Sequence, residues 1–153
     1  MSVPAQEIER RVLAFTEACN TAGARMTHQR MEVFREVAKS DEHPDAETIY
    51  NRVRRRIPAI SLDTVYRTLA TLETLGVVSR VYLLCDRARF DAMITPHHHF
   101  VCSQCGTLKD FMSSEADKLR IPPEVRSWGI VKSTHVEVRG LCSKCGKIKD
   151  GRN

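Results

Sequence analysis

The sequence predicts a mixed chain, α/β in the α+β sense: an N-terminal winged helix-turn-helix domain followed by a small C-terminal α/β domain that ends in paired cysteines. Apolar residues recur at helical spacing through the first half. A β-branched and aromatic run follows at Val77 to Leu84. All but two of the cysteines and four of the six histidines come after residue 85. These three observations divide the chain into residues 1–84, a hinge at 85–90 and a second domain at 91–153.

The elements follow in order. Pro4 suits a first helical turn, and Ile8, Val12, Phe15 and Cys19 form an apolar stripe that stops at Gly23. Cys19 is thereby read as a core residue. Thr27 caps a second helix carrying Met31, Phe34 and Val37. Asp45 caps a third, carrying Ile49, Val53 and Ile57 before Pro58 stops it. Ser61 caps a fourth helix whose Val65, Leu69, Leu72 and Leu75 face inward, with Gly76 as terminator. Its outward face carries Asp63, Thr64, Tyr66, Arg67, Thr71 and Thr74, which marks it as the candidate recognition helix. A hairpin runs from Val77 to Leu84, turns at Cys85-Asp86-Arg87 and returns over Ala88 to Met93, forming the wing. In the second half, strands at His99 to Cys102 and Thr107 to Phe111 flank a tight cysteine turn. Ser114 and Asp117 are spaced as a capping box for a short helix before Pro122-Pro123. A final strand spans Val131 to Leu141.

Composition bounds the function. At 153 residues the chain is too short for a barrel enzyme of roughly 250 residues. Nor does the sequence show a nucleophile-base pair or a Gly-rich phosphate loop, so the expectation is a protein that is not an enzyme. No apolar run approaches the ~18 residues of a membrane helix. The opening MSVPAQEIERRV lacks the basic-then-apolar order of a signal peptide, which predicts a cytoplasmic protein. In a reducing compartment paired cysteines hold metal more often than they form disulfides. The formal charge of +5 favours an acidic partner such as nucleic acid, although residues 1–84 are nearly balanced. The cluster Arg52, Arg54, Arg55 and Arg56 offers phosphate contacts or a solvated face.

Two Cys-x-x-Cys-Gly turns, Cys102 with Cys105 and Cys142 with Cys145, are the strongest chemical signal. A two-residue gap points both sulfurs at one ion, and two such turns complete a thiolate tetrahedron suited to Zn²⁺. Four protein ligands leave no position open, so this zinc is structural. Cys85 stands outside both pairs as a bystander. The run His97-His98-His99 lies between Asp91 and the first cysteine turn, with Asp110 beyond it. In an extended segment His97 and His99 share a face while His98 points away. Imidazoles with carboxylates and no thiolate suit Fe²⁺, Mn²⁺ or Zn²⁺.

The residues Arg25-Met26-Thr27 with Gln29-Arg30, His43-Pro44, Ser61 with Thr64 to Leu69, Arg89-Phe90-Asp91, His97 to His99 and both cysteine pairs resemble the ferric uptake regulator (Fur) superfamily. The resemblance implies a homodimeric, metal-dependent repressor binding a double-stranded DNA operator. It also implies a C-terminal dimerisation domain and a regulatory metal between the domains. By the same resemblance the regulatory ligands are His43, Asp91, His97, His99 and Asp110, all five of the type found in the peroxide-responsive (PerR) branch. Asp110 is the informative one, since iron-sensing members usually carry glutamate there. Two of the ligand positions of a further family metal site hold Pro96 and Thr134, with His135 one residue away. The leading reading is a peroxide sensor holding Fe²⁺ or Mn²⁺ in which His43 or His97 is oxidised; the alternative is an iron-responsive repressor. Tyr66 and Arg67, with Thr64 and Ser61, are the candidate DNA contacts.

Overall fold

Side-chain caps set the start of three of the four N-terminal helices. The computed structural model of the chain describes residues 3–81 and 87–147. Cys85 and most of the expected hairpin turn lie outside them. Contacts divide the chain into residues 1–94 and 95–153.

In the first unit, α1 (Ala5–Ala22) ends at Gly23, whose φ of 64° lets the Ala24 N–H turn back to the Cys19 carbonyl at 2.9 Å. The side chains of Thr27, Asp45 and Ser61 accept from the backbone N–H of Arg30, Thr48 and Thr64, opening α2 (His28–Ala38), α3 (Ala46–Val53) and α4 (Leu62–Thr74). Helix α3 stops at Val53 rather than reaching Pro58. Arg54 caps it, and Ile57 packs from the following turn. Phe15 and Phe34 meet with ring centroids 4.6 Å apart. Val33, Val37, Ile49, Val53, Val65, Leu69, Leu72 and Phe90 complete the core. Each such side chain, fully buried, contributes about 1.5–3 kcal/mol. Cys19 is part of this core.

Strands β1 (Ser79–Val81) and β2 (Arg89–Asp91) pair antiparallel, Arg80 opposite Phe90. The backbone of β2 is also tied to the loop before α3. The Phe90 N–H donates to the Pro44 carbonyl at 3.1 Å, and Arg89 donates to the Glu42 carbonyl at 3.2 Å. These bonds hold Asp91 beside the His43 corner.

The second unit is a three-stranded sheet of order β4-β3-β5. Strand β3 (His98–Cys102) runs antiparallel to β4 (Leu108–Phe111), with His99 opposite Asp110, and parallel to β5 (Glu137–Gly140), with His99 opposite Glu137. Two expectations are corrected here. The expected final strand over Val131 to Leu141 shrinks to β5, because only Glu137 to Gly140 has a partner strand to pair with. The capping box at Ser114 and Asp117 does not form, and a single serine cap one residue earlier opens the helix. Ser113 caps α5 (Ser114–Asp117) by accepting from Ala116 N–H at 3.2 Å, while the Asp117 carboxylate stands 3.2 Å from His98 Nε2. Helices α6 (Pro123–Trp128) and α7 (Ser143–Lys147) complete the unit; proline at the first turn of α6 costs no hydrogen bond.

Candidate metal centres and nucleic-acid interface

Cys102 and Cys105 lie on the β3–β4 turn, where Gly106 adopts a φ of 71° and its N–H donates to the Cys102 carbonyl at 2.9 Å. Cys142 and Cys145 bracket the start of α7, and the Gly146 N–H closes that turn on the Cys142 carbonyl at 2.8 Å. Because β3 and β5 are parallel, with Cys102 opposite Gly140, both turns open at one end of the sheet. The four sulfurs lie within 4.8 Å of one another, and Cys105 Sγ is 3.7 Å from Cys142 Sγ. Thiolates at about 2.3 Å from a tetrahedral ion are separated by about 3.8 Å, so the spacing fits zinc and is far longer than the ~2.05 Å of a disulfide. The thiols are unequal. Backbone N–H groups of Cys105 and Cys142 directed at the Cys102 sulfur pull it down to about 6. The Thr107 hydroxyl lowers Cys105, while contact with the Cys142 thiol and burial push Cys145 up to about 12.

The second unit also carries a harder donor set. His97 Nδ1 donates to the Thr95 carbonyl at 2.8 Å, since a carbonyl can only accept, and in the neutral ring Nε2 is then the unprotonated nitrogen. That Nε2 lies 3.1 Å from His99 Nε2 and 3.9 Å from Asp110 Oδ1. His99 Nε2 stands 3.3 Å from the same carboxylate oxygen. Two imidazole nitrogens and one oxygen thus make a triangular face. Neighbouring ligands at right angles, about 2.1 Å from an ion, sit about 3.0 Å apart; the two edges at His99 are near that spacing, and the His97–Asp110 edge is wider. The Nδ1 of His99 is engaged by His135 Nε2 at 2.8 Å. His98 occupies the other side of the strand, as the alternation predicts. It packs on Phe111 with ring centroids 5.4 Å apart and accepts the Val136 N–H at Nδ1.

The first unit supplies a separate edge of two donors. His43 Nε2 and Asp91 Oδ2 are 3.4 Å apart, both residues buried. The other oxygen of Asp91 accepts the Met93 N–H at 2.7 Å, which orients the carboxylate. His43 has a φ of 52°, in the left-handed region, and precedes a proline. Such a backbone costs on the order of 1–3 kcal/mol and persists where its surroundings hold it. Here Arg89 and β2 do so.

On α4, Tyr66 and Arg67 are exposed, and Arg67 Nε lies 3.0 Å from Asp63. The hydroxyls of Ser61 and Thr64 hydrogen-bond each other at 2.8 Å, so both serve the helix cap. Arg67 borders a polar groove with Thr27, Gln29, Arg30, Thr68 and Thr71. The basic cluster breaks up. Arg56 is bound to Glu32 and Glu36, Arg54 lies over the Tyr50 ring, and Arg52 approaches Glu42 at 3.9 Å. The sequence places His135 only as a near miss and pairs Asp117 with Ser114 as a capping box, not with His98. Their neighbours come from strand pairing across long loops, which no local pattern encodes.

The sequence model of the ferric uptake regulator family matches residues 21–138. The peroxide-responsive repressor PerR of Staphylococcus aureus is 30% identical over 148 residues, covering 95% of this chain and 98% of that protein. Among solved structures, the Helicobacter pylori ferric uptake regulator Fur, described with three functional metal binding sites, superposes with a TM-score of 0.72 at 23% identity, covering 91% of this chain and 93% of that one. The Campylobacter jejuni peroxide stress regulator gives a TM-score of 0.65 at 26% identity, over 88% and 98%. The chain belongs to the ferric uptake regulator family. It is a metal-responsive transcriptional regulator, and among the described residues two groups of side chains could hold a metal ion. No helix among the described residues is long and apolar enough to cross a membrane.

Proposed function

We propose that the chain is a homodimeric repressor that binds operator DNA when a regulatory Fe²⁺ or Mn²⁺ is bound and leaves it when peroxide oxidises a ligand. The observation that carries the reading is the face formed by His97, His99 and Asp110. A face of three donors leaves half an octahedron open, and His43 with Asp91 is a two-donor edge that would bring it to five. Residues 1–84 form the DNA-binding domain in this reading, 85–90 the hinge and 91–153 the dimerisation domain. One ion held by ligands from both would set how the DNA-binding domains are presented. A dimer must match half-sites about 34 Å apart or a multiple of that. To move such a switch from 1:99 to 99:1 the ion must favour the DNA-competent state by about 5.5 kcal/mol.

Structural Zn²⁺ is assigned to Cys102, Cys105, Cys142 and Cys145, where closed four-sulfur coordination leaves no reactive position. For the dimer, the second unit exposes Trp128 at 78% and Ile130 at 92%, with Met112, Leu119, Val138 and Leu141 also open. Large apolar side chains left this exposed are candidates for covering by a second copy of the chain.

Ferrous iron held by His43, Asp91, His97, His99 and Asp110 would activate peroxide there: one oxygen would enter a ring C–H bond and the other leave as water, so the two-electron reduction of peroxide is matched by the two-electron oxidation of the ring. The chain's part is to hold those rings with an unprotonated nitrogen available to the ion, as the Thr95 carbonyl does for His97. One oxygen added to the ring carbon next to that nitrogen turns the donor into an amide-like N–H, and a ligand is lost. On α4, Arg67 reads guanine and Tyr66 contacts a phosphate or thymine. Ser61 and Thr64 position the helix start against the backbone.

The test compares DNA binding by Fe²⁺-loaded and Mn²⁺-loaded protein before and after peroxide, using DNA selected from a random pool. Peroxide should abolish binding only in the iron form, and mass spectrometry should find one added oxygen on His43 or His97. Metal-dependent binding with unmodified histidines would instead favour sensing of iron concentration.

A further inference from the structure

We propose that His135 is a positioning residue for the regulatory site, acting through His99. The inference rests on the reading of His99 as a ligand and adds a residue that the five-ligand set does not contain. A histidine can bind a metal through Nε2 only if its remaining proton sits on Nδ1, and that N–H needs an acceptor. His97 meets the need with the Thr95 carbonyl. For His99 the partner at Nδ1 is His135 Nε2, 2.8 Å away, with ring centroids 4.4 Å apart. The His99 Nε2 then faces His97 Nε2 at 3.1 Å and Asp110 at 3.3 Å.

The main chain holds the pair in place. The His99 N–H donates to the Val136 carbonyl at 3.1 Å, and the Val136 N–H donates to His98 Nδ1 at 3.3 Å. The residue after His135 is thus bonded in both directions to β3, which places the His135 ring beside His99. In this arrangement His135 carries its proton on Nδ1 and accepts at Nε2. It fixes both the tautomer and the ring angle of His99.

Replacing an outer partner of a ligating histidine typically weakens metal binding by about 10–100-fold. His135 is exposed, so water can take over part of its role, and the loss should fall near about tenfold, the low end of that range. The experiment measures Mn²⁺ affinity of the full zinc-loaded chain by competition with a chelator, and the visible spectrum with Co²⁺. The variants are His135→Leu, His135→Ala, His135→Gln and His99→Ala, each checked for zinc content and circular dichroism. His135→Leu and His135→Ala should each weaken Mn²⁺ binding and shift the Co²⁺ bands. His135→Gln, whose amide oxygen reaches the same point and accepts, should restore both. Affinity and spectrum like wild type in Leu and Ala would overturn the inference, as would a Gln variant no better than Leu. His99→Ala separates the two levels. If it keeps wild-type Mn²⁺ affinity, the ligand reading itself fails and this inference with it. If it loses binding while His135→Leu does not, only the role of His135 fails.

Discussion

Arg56 reverses its expected role, and the reversal can be measured. In the sequence it belongs to a basic run that reads as phosphate contacts or a solvated face. In the fold its guanidinium leaves the turn after α3 and reaches back to α2, with Nε 2.6 Å from Glu32 and Nη2 2.5 Å from Glu36. Glu36 is fully buried and Glu32 nearly so. Removing one partner of a buried pair costs about 3–5 kcal/mol, but Lys39 still reaches Glu36 and Arg56 is 43% exposed, so Arg56→Leu should cost roughly 1.5–3 kcal/mol. For a unit of this size that lowers Tm by about 6–24 °C. The deficit should depend on pH. Burial alone would raise the Glu32 carboxyl, but hydrogen bonds from Arg56 and Arg35 outweigh it and hold the group below its ordinary 4.5. A depressed carboxylate stabilises the fold above its unfolded pKa, and that stability is lost as pH falls through the folded value. The gap between wild type and Arg56→Leu should therefore be full at pH 7 and shrink below about pH 4.5. Thermal unfolding across pH, followed by circular dichroism, checks the first part. The salt dependence of DNA binding checks the second, since losing a phosphate contact lowers the slope by about one and Arg56→Leu should leave it unchanged. An unchanged Tm together with a slope reduced by one would refute the ion-pair account.

Other expectations concern the sites directly. Cys142→Ser should lose zinc, measured by metal content, and with it the amide-exchange protection of β3 and β5, because the sulfurs join the ends of those strands. Zinc affinity should rise with pH, since Cys145, pushed up to about 12, must lose its proton to ligate; a pH-independent affinity in a chelator competition would contradict this. His43→Ala should abolish metal-dependent DNA binding while leaving zinc content intact, and a variant that still binds would sink the clamp. Arg67→Ala should lower specific affinity by about 1–3 kcal/mol with little change in the salt slope, whereas equal losses on cognate and random DNA would remove it as a base reader.

The helix starts at Thr27, Asp45 and Ser61, the stop at Gly23 and the two cysteine turns were legible because each depends on residues within about four positions of one another. The same holds for the opposed faces of His97 and His98, which strand alternation dictates. By itself, then, the sequence determined the local elements, the donor chemistry of both metal groups and, through motif resemblance, the family. Tertiary structure decided the rest. The strand expected from Val131 forms only where the alternation of Val136 to Arg139 meets a partner, since a strand needs a neighbour to pair with and β5 finds one only from Glu137. Ser113 rather than Ser114 caps its helix, and Asp117 is left facing His98. Arg56 is taken from the basic run by two buried carboxylates on another helix. The 3.1 Å between the His97 and His99 nitrogens and the 2.8 Å from His99 to His135 depend on ring rotations and on the parallel register of β3 and β5. Those are set by packing between segments far apart in the chain, and a linear pattern carries no term for them.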